Sequence, residues 1–451
     1  MSDTTEGRGP KAGTPPKASP IEGVVERFEA ADGVVGVIGL GYVGLPVALS
    51  FAEAGFKVIG VDSSKERVEP LQAGRSYLRD VPDEVLGRLV RTGRFKATTS
   101  YRGLGKATAI IICVPTPITE GSPDVSAISA AGNGIAKVLA PGTLVILEST
   151  TYPGTTDDLL RPLLEKSGLV AGKDFLLAFS PERIDPGNPT FSFTDIPKVV
   201  GGFTPESSAA ALALYGKVVP KVSAVSGTRE AEMAKLIENT YRHVNIALVN
   251  ELAIYANEWG VNIWEAIDAA ATKPFGFQAF YPGPGWGGHC IPLDPSYLSW
   301  RVRQDHAHEI RFVELAHKVN AEMPRYVVER AALSLNERGK ALRGSKILAI
   351  GAAYKGGTED TRGAPAIKVL RMLAERGADI SYHDPLVPSL MVGGYEMESL
   401  PLTEETLSEQ DLVMTLTPQV DVDWDLVHRA SHTIFDCCNA MRHRNGNVYR
   451  L

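Results

Sequence analysis

The sequence predicts an α/β protein in which two Rossmann-like doubly wound domains are joined by a long central helix. Three observations support this prediction. Near the start, short apolar runs alternate with helical patterns, and a glycine-rich turn separates the first run from the first helix. A helical pattern then continues without interruption over residues 229–259. A second alternation of apolar runs and helices begins at residue 345. Such alternation is typical of parallel sheets covered by helices.

Composition limits the possible functions. The 451 residues correspond to roughly three domains of about 150 residues each. The net charge of −7 lacks the excess of positive charge that is typical of proteins that bind nucleic acid or an anionic membrane surface. No apolar run approaches the ~18 residues of a membrane span, and the N-terminus lacks the apolar core of a signal peptide, so we expect a cytoplasmic protein. The cysteines are too scattered for a disulfide scaffold, and no metal site is predicted: they are Cys113, Cys290, Cys437 and Cys438.

Changes in composition and in hydrophobic period divide the chain into four segments. Residues 1–28 are rich in Gly, Pro, Lys, Thr and Ser, with almost no large apolar side chains, so we predict a disordered tail. The following segments are predicted to be a Rossmann domain, a central helical domain and a C-terminal α/β domain, with the bounds 29–226, 227–338 and 339–451.

The first domain carries a dinucleotide-binding motif in its expected context. The apolar strand Val34–Ile38 runs into Gly39-Leu40-Gly41-Tyr42-Val43-Gly44, a helical pattern follows, and the next strand ends at Asp62. An isolated G-x-G-x-x-G is weak, but a strand, a helix and an acidic residue about 20 residues later make it specific. The glycines let the backbone approach a pyrophosphate, and Asp62 suits a ribose diol, which favours NAD over NADP. Arg67 lies close enough in sequence to stack on adenine or meet a phosphate.

Two further strands end in residues that suit a cofactor site. Pro115 and Thr116 follow the strand 109–114, and Thr150 and Thr151 follow the strand 144–148. Doubly wound sheets bind ligands at the carboxyl ends of their strands, so these residues are candidates to line the site. Capping and turn roles explain the hydroxyl groups equally well.

The central segment begins with a helix of unusual length. The apolar residues between Arg229 and Trp259 recur at steps of three and four. At about 1.5 Å per residue, this helix would be about 45 Å long, so it either spans two domains or packs against a copy of itself. Lys235 and Asn239 share one face of it. The ordinary interpretation of such a polar face is exposure to solvent.

A single cysteine, Cys290, lies in a glycine-rich stretch that runs from Gly285 to Asp294. The glycines and Pro292 indicate a tight backbone that a ligand can approach closely. Asp294 is placed to orient a water or a base against whatever the sulfur holds. The alternative is a buried structural thiol, because free cysteine usually behaves as a small hydrophobe. The preceding loop, 272–284, is rich in Gly, Pro and aromatic residues, which indicates a ligand lid.

The C-terminal segment repeats the strand–loop–helix layout of the first domain. Its first strand, 345–351, leads into a glycine-bearing loop with Lys355 and Arg362. These cations suit a diphosphate, to which Arg362 offers a bidentate fork. The alternative is two ordinary surface cations.

From residue 34 to the C-terminus, the chain resembles the nucleotide-sugar 6-dehydrogenases of the UDP-glucose/GDP-mannose dehydrogenase family. Three runs carry the resemblance, at residues 148–156 (ESTTYPGTT), 180–188 (SPERIDPGN) and 287–292 (GGHCIP). These runs are most similar to the bacterial UDP-N-acetylglucosamine 6-dehydrogenases, which supply uronic acids for polysaccharide biosynthesis. Leu293 fits the N-acetylhexosamine branch, since UDP-glucose enzymes usually carry Lys there. Pro186 stands where the family often has a Glu, so the role of that Glu toward the cofactor or a water is not filled at this position.

The resemblance implies NAD-dependent, four-electron oxidation of the C6 alcohol of a UDP-N-acetylhexosamine, with UDP-N-acetylglucosamine preferred and UDP-N-acetylmannosamine or UDP-glucose as alternatives. It implies a thiohemiacetal and a thioester on Cys290, an N-terminal NAD-binding domain, a C-terminal nucleotide-sugar-binding domain, and a homodimer or higher homo-oligomer supported by the long helix. The implied catalytic residues are Cys290, Lys235, Asn239, Glu182, Thr151 and Asp294. The implied NAD-binding residues are Gly39, Gly41, Tyr42, Val43, Gly44, Asp62, Arg67, Pro115, Thr116, Thr150 and Thr151. The implied substrate-binding residues are Glu182, Arg183, Lys235, Asn239, Phe277, Tyr281, Gly285, Lys355 and Arg362.

Two other functions are compatible with parts of the sequence. A one-step NAD dehydrogenase would share the first domain and the long helix, would need no cysteine, and would release one NADH per substrate. A catalytically silent nucleotide-sugar-binding protein would serve an assembly complex. Loss of Cys290 or Lys235 would indicate the silent protein, and both residues are present.

Overall fold

A computed structural model describes residues 19–78, 81–119, 121–184, 191, 193–288, 291–442 and 446–451. The helices in these ranges are α1 Val24–Glu29, α2 Gly44–Glu53, α3 Lys65–Gln72, α4 Asp83–Arg91, α5 Ser126–Ala136, α6 Arg161–Glu165, α7 Pro205–Tyr215, α8 Thr228–Glu258, α9 Ile263–Ala271, α10 Asp294–His306, α11 Arg311–Asn336, α12 Pro365–Glu375, α13 Glu404–Ser408 and α14 Trp424–Ala430. The strands are β1 Val34–Ile38, β2 Lys57–Val61, β3 Phe95–Thr98, β4 Ala109–Ile112, β5 Ile118–Thr119, β6 Ser122–Pro123, β7 Leu144–Leu147, β8 Leu176–Phe179, β9 Lys198–Gly202, β10 Val222–Val225, β11 Lys346–Ile350, β12 Asp379–His383, β13 Ser389–Val392, β14 Tyr395–Glu398, β15 Leu412–Thr415, β16 Ile434–Asp436 and β17 Val448–Arg450.

Eight strands form the sheet of the N-terminal domain, in the order β10-β9-β8-β7-β4-β1-β2-β3. Neighbouring strands are parallel except β8 and β9. Every residue of β4, β7 and β8 is buried, because helices cover both faces of a sheet of this kind. The strand order reverses at β1, between β2 and β4, and ligands bind at such a switch point. The predicted doubly wound fold is confirmed here.

The C-terminal domain repeats the design of the first. Its five strands are parallel, in the order β12-β11-β15-β16-β17. Gly39 after β1 and Gly351 after β11 both have φ +88°. The backbone N–H that follows each glycine donates to an aspartate at the end of the next strand, at 2.8 Å to Asp62 and at 2.7 Å to Asp384. The second alternation predicted from the sequence is therefore a second doubly wound unit built around the same turn.

The two domains are joined through α8 and α11, which pack along each other. The helix α8 has 31 residues and agrees with the predicted helix 229–259 to within one residue at each end. Val249 and Ala253 of α8 lie in one apolar cluster with Met323 and Val327 of α11. None of the helices in the described ranges is both long enough and apolar enough to cross a membrane.

The predicted disordered tail is wrong at its C-terminal end. Residues 24–29 form α1, which packs against α7. Val24 and Phe28, one turn apart, are fully buried in the core of the first domain. Their burial offsets the entropy of ordering this short helix, which an average over the 28 residues does not register. Residues 1–18 lie outside the described residues.

Candidate active site

The glycine-rich turn lies at the switch point, between β1 and α2. A Cβ on Gly39 would meet the carbonyl oxygen of Cys113 at 2.5 Å, and one on Gly44 would lie 1.8 Å from the carbonyl oxygen of Gly39. A Cβ on Gly41 would have no described atom within 4 Å. The first and third glycines are thus required by backbone packing. The second leaves open space at the N-terminus of α2, which fits a pyrophosphate.

Asp62 is fixed beside this turn. Its carboxylate is buried and accepts the backbone N–H of Leu40 at 2.8 Å and of Ser64 at 2.9 Å. Arg67, which is half exposed, approaches it at 3.5 Å. Two carboxylate oxygens offer about four acceptor positions, so the carboxylate retains capacity for a ribose diol. The structure therefore brings Asp62 and Arg67 together at the open turn.

The threonines predicted at the strand ends are partly engaged by the protein itself. The hydroxyl of Thr116 donates to the carbonyl oxygen of Thr150 at 2.7 Å, which joins the ends of β4 and β7. The hydroxyl of Tyr297, on α10, donates to the carbonyl oxygen of Thr116. Thr151 differs, because its hydroxyl is buried and has no hydrogen-bond partner within the described ranges. Buried polar atoms are usually paired, so this hydroxyl fits a role in ligand binding.

Four predicted catalytic residues meet in a buried quartet, defined as Glu182, Lys235, Asn239 and Asp294. The ammonium of Lys235 lies 3.9 Å from the carboxylate of Glu182. One turn further along α8, the amide of Asn239 donates to the carboxylate of Asp294, the first residue of α10. All four side chains are buried, so the polar face of α8 is not solvated. The ordinary interpretation of that face is therefore wrong.

The electrostatics of the quartet suit proton transfer. Burial raises the pKa of Glu182, although the cation of Lys235 acts in the opposite direction. Burial also raises the pKa of Asp294 to about 6, against the opposing effects of Lys235 and the hydrogen bond from Asn239. A carboxylate with a pKa closer to neutrality is a better general base than an ordinary one. A buried ammonium that acts on both groups can also stabilise negative charge on a reacting oxygen.

The sequence analysis did not identify three other residues that organise the site. With Lys235 and Asn239 they form what we call the anchor stripe of α8. The anchor stripe consists of Glu232, Lys235, Asn239, His243 and Asn250. Their spacing of 3, 4, 4 and 7 residues keeps them on one side of a helix. The periodicity shows from the sequence that these residues share a face, but it does not show that the face is buried.

The three newly identified residues of the anchor stripe hold two segments, one that follows β7 and one that precedes α10. Glu232 accepts hydrogen bonds from the backbone N–H groups of Gly154 and Thr156, in the loop after β7, and burial raises its pKa to about 7. His243 accepts the indole N–H of Trp286 at 2.7 Å. The amide oxygen of Asn250 accepts the backbone N–H of Gly283 at 3.0 Å. The helix thus fixes the segments on both sides of the quartet.

The remaining predicted substrate residues of the first two domains have varied surroundings. Arg183 pairs with Glu238 of α8 at 2.7 Å and donates to the carbonyl oxygen of Pro197, so protein groups orient it. Phe277 is exposed, and Tyr281 donates to Asp268 at the surface. Both side chains therefore lie on the surface rather than among the buried quartet. Gly285 lies against α11, where a Cβ would meet the carbonyl oxygen of Asn320 at 3.0 Å.

One of the two predicted cations of the C-terminal domain, Arg362, contacts the glycine-rich turn. Arg362 forms a fork with Asp360, with its closest contact at 2.7 Å. Its guanidinium lies 5.6 Å from the ring centre of Tyr42, which is half exposed beside Val43 in the turn. Lys355 lies 5.7 Å from the ring centre of Tyr354. The loop that carries both cations therefore contacts the dinucleotide-binding motif through Arg362.

The predicted nucleophile, Cys290, lies outside the described residues, as does His289. The described residues on either side of Cys290 contact the C-terminal domain and the quartet. The backbone N–H of Gly288 donates to the carbonyl oxygen of Arg362, and Asp294 begins α10 within the quartet. Cys113, Cys437 and Cys438 are free thiols. Within the described ranges, no group of three or more His, Cys, Asp or Glu side chains could hold a metal ion.

Three family models match successive parts of the chain. All describe the UDP-glucose/GDP-mannose dehydrogenase family: its NAD binding domain matches residues 34–219, its central domain 229–322 and its UDP binding domain 348–443. These regions contain the open glycine-rich turn, the anchor stripe and the loop of Arg362, respectively.

Individual relatives agree. A UDP-N-acetyl-D-mannosamine dehydrogenase of Pyrococcus horikoshii is 36% identical over 78% of this chain and 84% of its own. A UDP-N-acetyl-D-glucosamine 6-dehydrogenase of Pseudomonas aeruginosa is also 36% identical, over 78% of this chain and 83% of its own. The solved structure of a UDP-D-ManNAc dehydrogenase from Pyrococcus horikoshii superposes with a TM-score of 0.83, at 32% identity, covering 92% of this chain and 98% of that one. The chain therefore belongs to the UDP-glucose/GDP-mannose dehydrogenase family, as an NAD-dependent oxidoreductase that acts on a UDP-sugar.

Proposed function

We propose that this protein oxidises the C6 alcohol of a UDP-N-acetylhexosamine to the carboxylate. UDP-N-acetylglucosamine is the preferred candidate, on the similarity of the runs at 148–156, 180–188 and 287–292. UDP-N-acetylmannosamine comes next, because one relative named for each of the two sugars is 36% identical to this chain. The observation that carries the proposal is the buried quartet, in which one ammonium and one amide lie beside two carboxyl groups of raised pKa.

The first oxidation turns the alcohol into an aldehyde. NAD, when bound at the open turn by Gly41 and Asp62, supplies the electron acceptor for each of the two oxidations. Lys235 stabilises the alkoxide that develops on the C6 oxygen, since a preorganised charge in a buried site costs little to reorganise. The buried carboxylates of Glu182 and Asp294 are available to take the proton, and Thr151 offers a buried hydroxyl without a partner in the described residues.

The second oxidation requires Cys290. Its sulfur adds to the aldehyde carbon, a C–S bond forms, and the thiol proton passes to the oxygen, which gives a thiohemiacetal. Loss of two more electrons gives a thioester. Water then adds to the thioester carbon while Glu182 takes its proton, the C–S bond breaks, and the thiol is regenerated. Overall, one alcohol, one water and two NAD⁺ give one carboxylate, two NADH and three protons.

The proposed function is tested by measuring NADH release with UDP-N-acetylglucosamine, UDP-N-acetylmannosamine, UDP-glucose and GDP-mannose. We expect two NADH per sugar and the highest kcat/KM with an N-acetylhexosamine. A preference for UDP-glucose would remove the proposed substrate and leave the chemistry. One NADH per sugar would instead identify a one-step dehydrogenase, and binding without NADH would identify a silent nucleotide-sugar-binding protein.

Replacing Asp62 by alanine is expected to raise the KM for NAD by about 10- to 100-fold, because hydrogen bonds to a charged acceptor are worth about 1.5–3 kcal/mol. The value of kcat at saturating NAD should change little. Steady-state kinetics with NAD as the varied substrate measure both. The matched control is Glu66→Ala, at an exposed acidic residue on the neighbouring α3. An unchanged KM for NAD in Asp62→Ala would show that the ribose does not bind there.

We also propose that the protein forms a homodimer through α8. Its large exposed apolar side chains form what we call the apolar stripe. The apolar stripe consists of Ile237, Tyr241, Leu248, Leu252 and Tyr255. At about 100° per residue, it lies on the face of α8 opposite the anchor stripe. A contiguous exposed apolar surface of this kind favours a protein interface, and a second copy of α8 matches its length and chemistry.

The double substitution Leu248→Glu and Leu252→Glu is expected to convert the dimer into a monomer. Two carboxylates placed in each copy would be buried without partners, which strongly opposes association. Light scattering coupled to size-exclusion chromatography measures the mass. The control is Val170→Glu, at an exposed apolar residue far from α8 in sequence, which should leave the mass unchanged. A dimer that survives the double substitution would place the interface elsewhere.

A further inference from the structure

Trp286 connects the anchor stripe to the segment that carries the proposed nucleophile. Its indole N–H donates to Nδ1 of His243 at 2.7 Å, and the two rings are stacked at 26° with their centres 5.9 Å apart. Both side chains are buried. Trp286 belongs to the segment 285–288, and Cys290 lies two residues after the end of this segment.

His243 has one protonation state that suits this contact. Because Nδ1 accepts the indole hydrogen, the ring proton belongs on Nε2, which lies 3.4 Å from the carbonyl oxygen of Val313. Burial lowers the pKa of His243 to about 4, so the ring is neutral near pH 7. His317 and Glu314 approach it from α11. The titratable groups around His243 thus leave the neutral ring as an acceptor.

The segment 285–288 is held from two sides. On the far side from α8, the backbone N–H of Gly288 donates to the carbonyl oxygen of Arg362 at 3.0 Å. A Cβ on Gly287 would lie 2.8 Å from the Cβ of Tyr354, so the backbone there is closely packed. Lys368 lies 5.3 Å from the ring centre of Trp286. The other three residues of the segment are glycines, so Trp286 provides its one side-chain contact to α8.

We propose that His243 is a positioning residue for the reaction. As a neutral acceptor it fixes the indole of Trp286, and the indole fixes the backbone from which the chain continues to Cys290. This inference rests on the proposed role of Cys290. A small displacement of a reacting group lowers the rate without a corresponding loss of substrate binding, so the effect belongs in kcat.

The test compares three single variants with the wild-type enzyme. His243→Leu removes the acceptor, and Trp286→Phe removes the donor while keeping an aromatic ring. Each should lower kcat by about 10- to 100-fold and leave the KM for NAD unchanged. His243→Gln supplies an amide oxygen that can accept the indole hydrogen, so it should restore most of kcat. The double variant His243→Leu, Trp286→Phe should be no slower than either single variant, since both remove the same contact.

A second measurement does not depend on turnover. Alkylation of Cys290 by iodoacetamide, followed by peptide mass spectrometry, should change in rate in His243→Leu and return towards wild type in His243→Gln. Alkylation of Cys438 in the same samples should stay constant, and His432→Leu, at an exposed position, is the matched control. If the wild-type enzyme oxidises no UDP-sugar, the proposed function fails while alkylation still tests the positioning of Cys290. The inference is overturned if His243→Leu changes only the melting temperature, or if His243→Gln is as slow as His243→Leu.

Discussion

Replacing Cys290 by serine is expected to lower carboxylate formation by at least about 1,000-fold, in line with the loss of a covalent nucleophile elsewhere. The reason is chemical. A thiol loses its proton near pH 8.5, and lower beside a cation or a helix N-terminus, whereas a serine hydroxyl remains protonated. Without a thiolate the aldehyde is not trapped, so the second pair of electrons has no route to leave. Product analysis by mass spectrometry, together with NADH counted per sugar, measures the effect.

The ratio of NADH to sugar carries more information than the rate. We expect the ratio to fall from two to at most one in Cys290→Ser, because only the first oxidation remains possible. The matched control is Cys438→Ser, the same change at a free thiol of the C-terminal domain, which should keep the ratio of two. Undiminished carboxylate formation in Cys290→Ser would contradict the thioester route and leave the NAD site intact.

The second large effect is expected at Lys235. Lys235→Met keeps most of the side-chain volume and removes the charge. The value of kcat should fall by about 100- to 1,000-fold, which is typical of losing one preorganised donor to a developing oxyanion. Steady-state kinetics at saturating NAD and UDP-sugar measure it. The control is Lys318→Met, the same substitution at an exposed position of α11, which should leave kcat unchanged.

The pH dependence of Lys235→Met separates electrostatics from structural damage. The cation of Lys235 opposes the effect of burial on both Glu182 and Asp294, so its removal raises the pKa of both carboxyls further. If the reaction needs at least one of them charged, the rate falls as pH decreases through that pKa. The acidic limb of the pH–rate profile should therefore move to higher pH in the variant. A profile that keeps its wild-type shape at a lower rate would argue against this role.

The local parts of the site are predictable from the sequence, because the motif and its context are close together in the chain. Gly39, Gly41 and Asp62 lie on one strand–turn–helix–strand unit, and the open space at Gly41 is what the motif predicts. The anchor stripe is not predictable in this way. Polar side chains on a helix are usually solvated, and the apolar period of α8 belongs to its exposed face. The usual inference, that the apolar face of a helix packs on the core, therefore selects the wrong face of α8.

Pairing between distant or flexible groups also escapes sequence analysis. The diphosphate-binding role of Arg362 stays a prediction, but its pairing with Asp360, a carboxylate only two residues away, was not foreseen. The contact of Arg362 with Tyr42 links residues 320 positions apart, and no local pattern encodes it. The burial of Glu232 depends likewise on two N–H groups from a loop almost eighty residues earlier. Such contacts follow from the tertiary fold.

The two opposed faces of α8 constrain how this protein can change in evolution. Between Glu232 and Asn250 the helix rises by about 27 Å and makes five turns. Inserting or deleting one residue there would rotate everything beyond it by about 100° and shift it by about 1.5 Å. The loops that the anchor stripe holds would then face the apolar side chains of α8. The polar residues of the anchor stripe would be turned toward the outside. Related chains are therefore free to vary in loop length around this helix. The number of residues in the helix itself must stay constant.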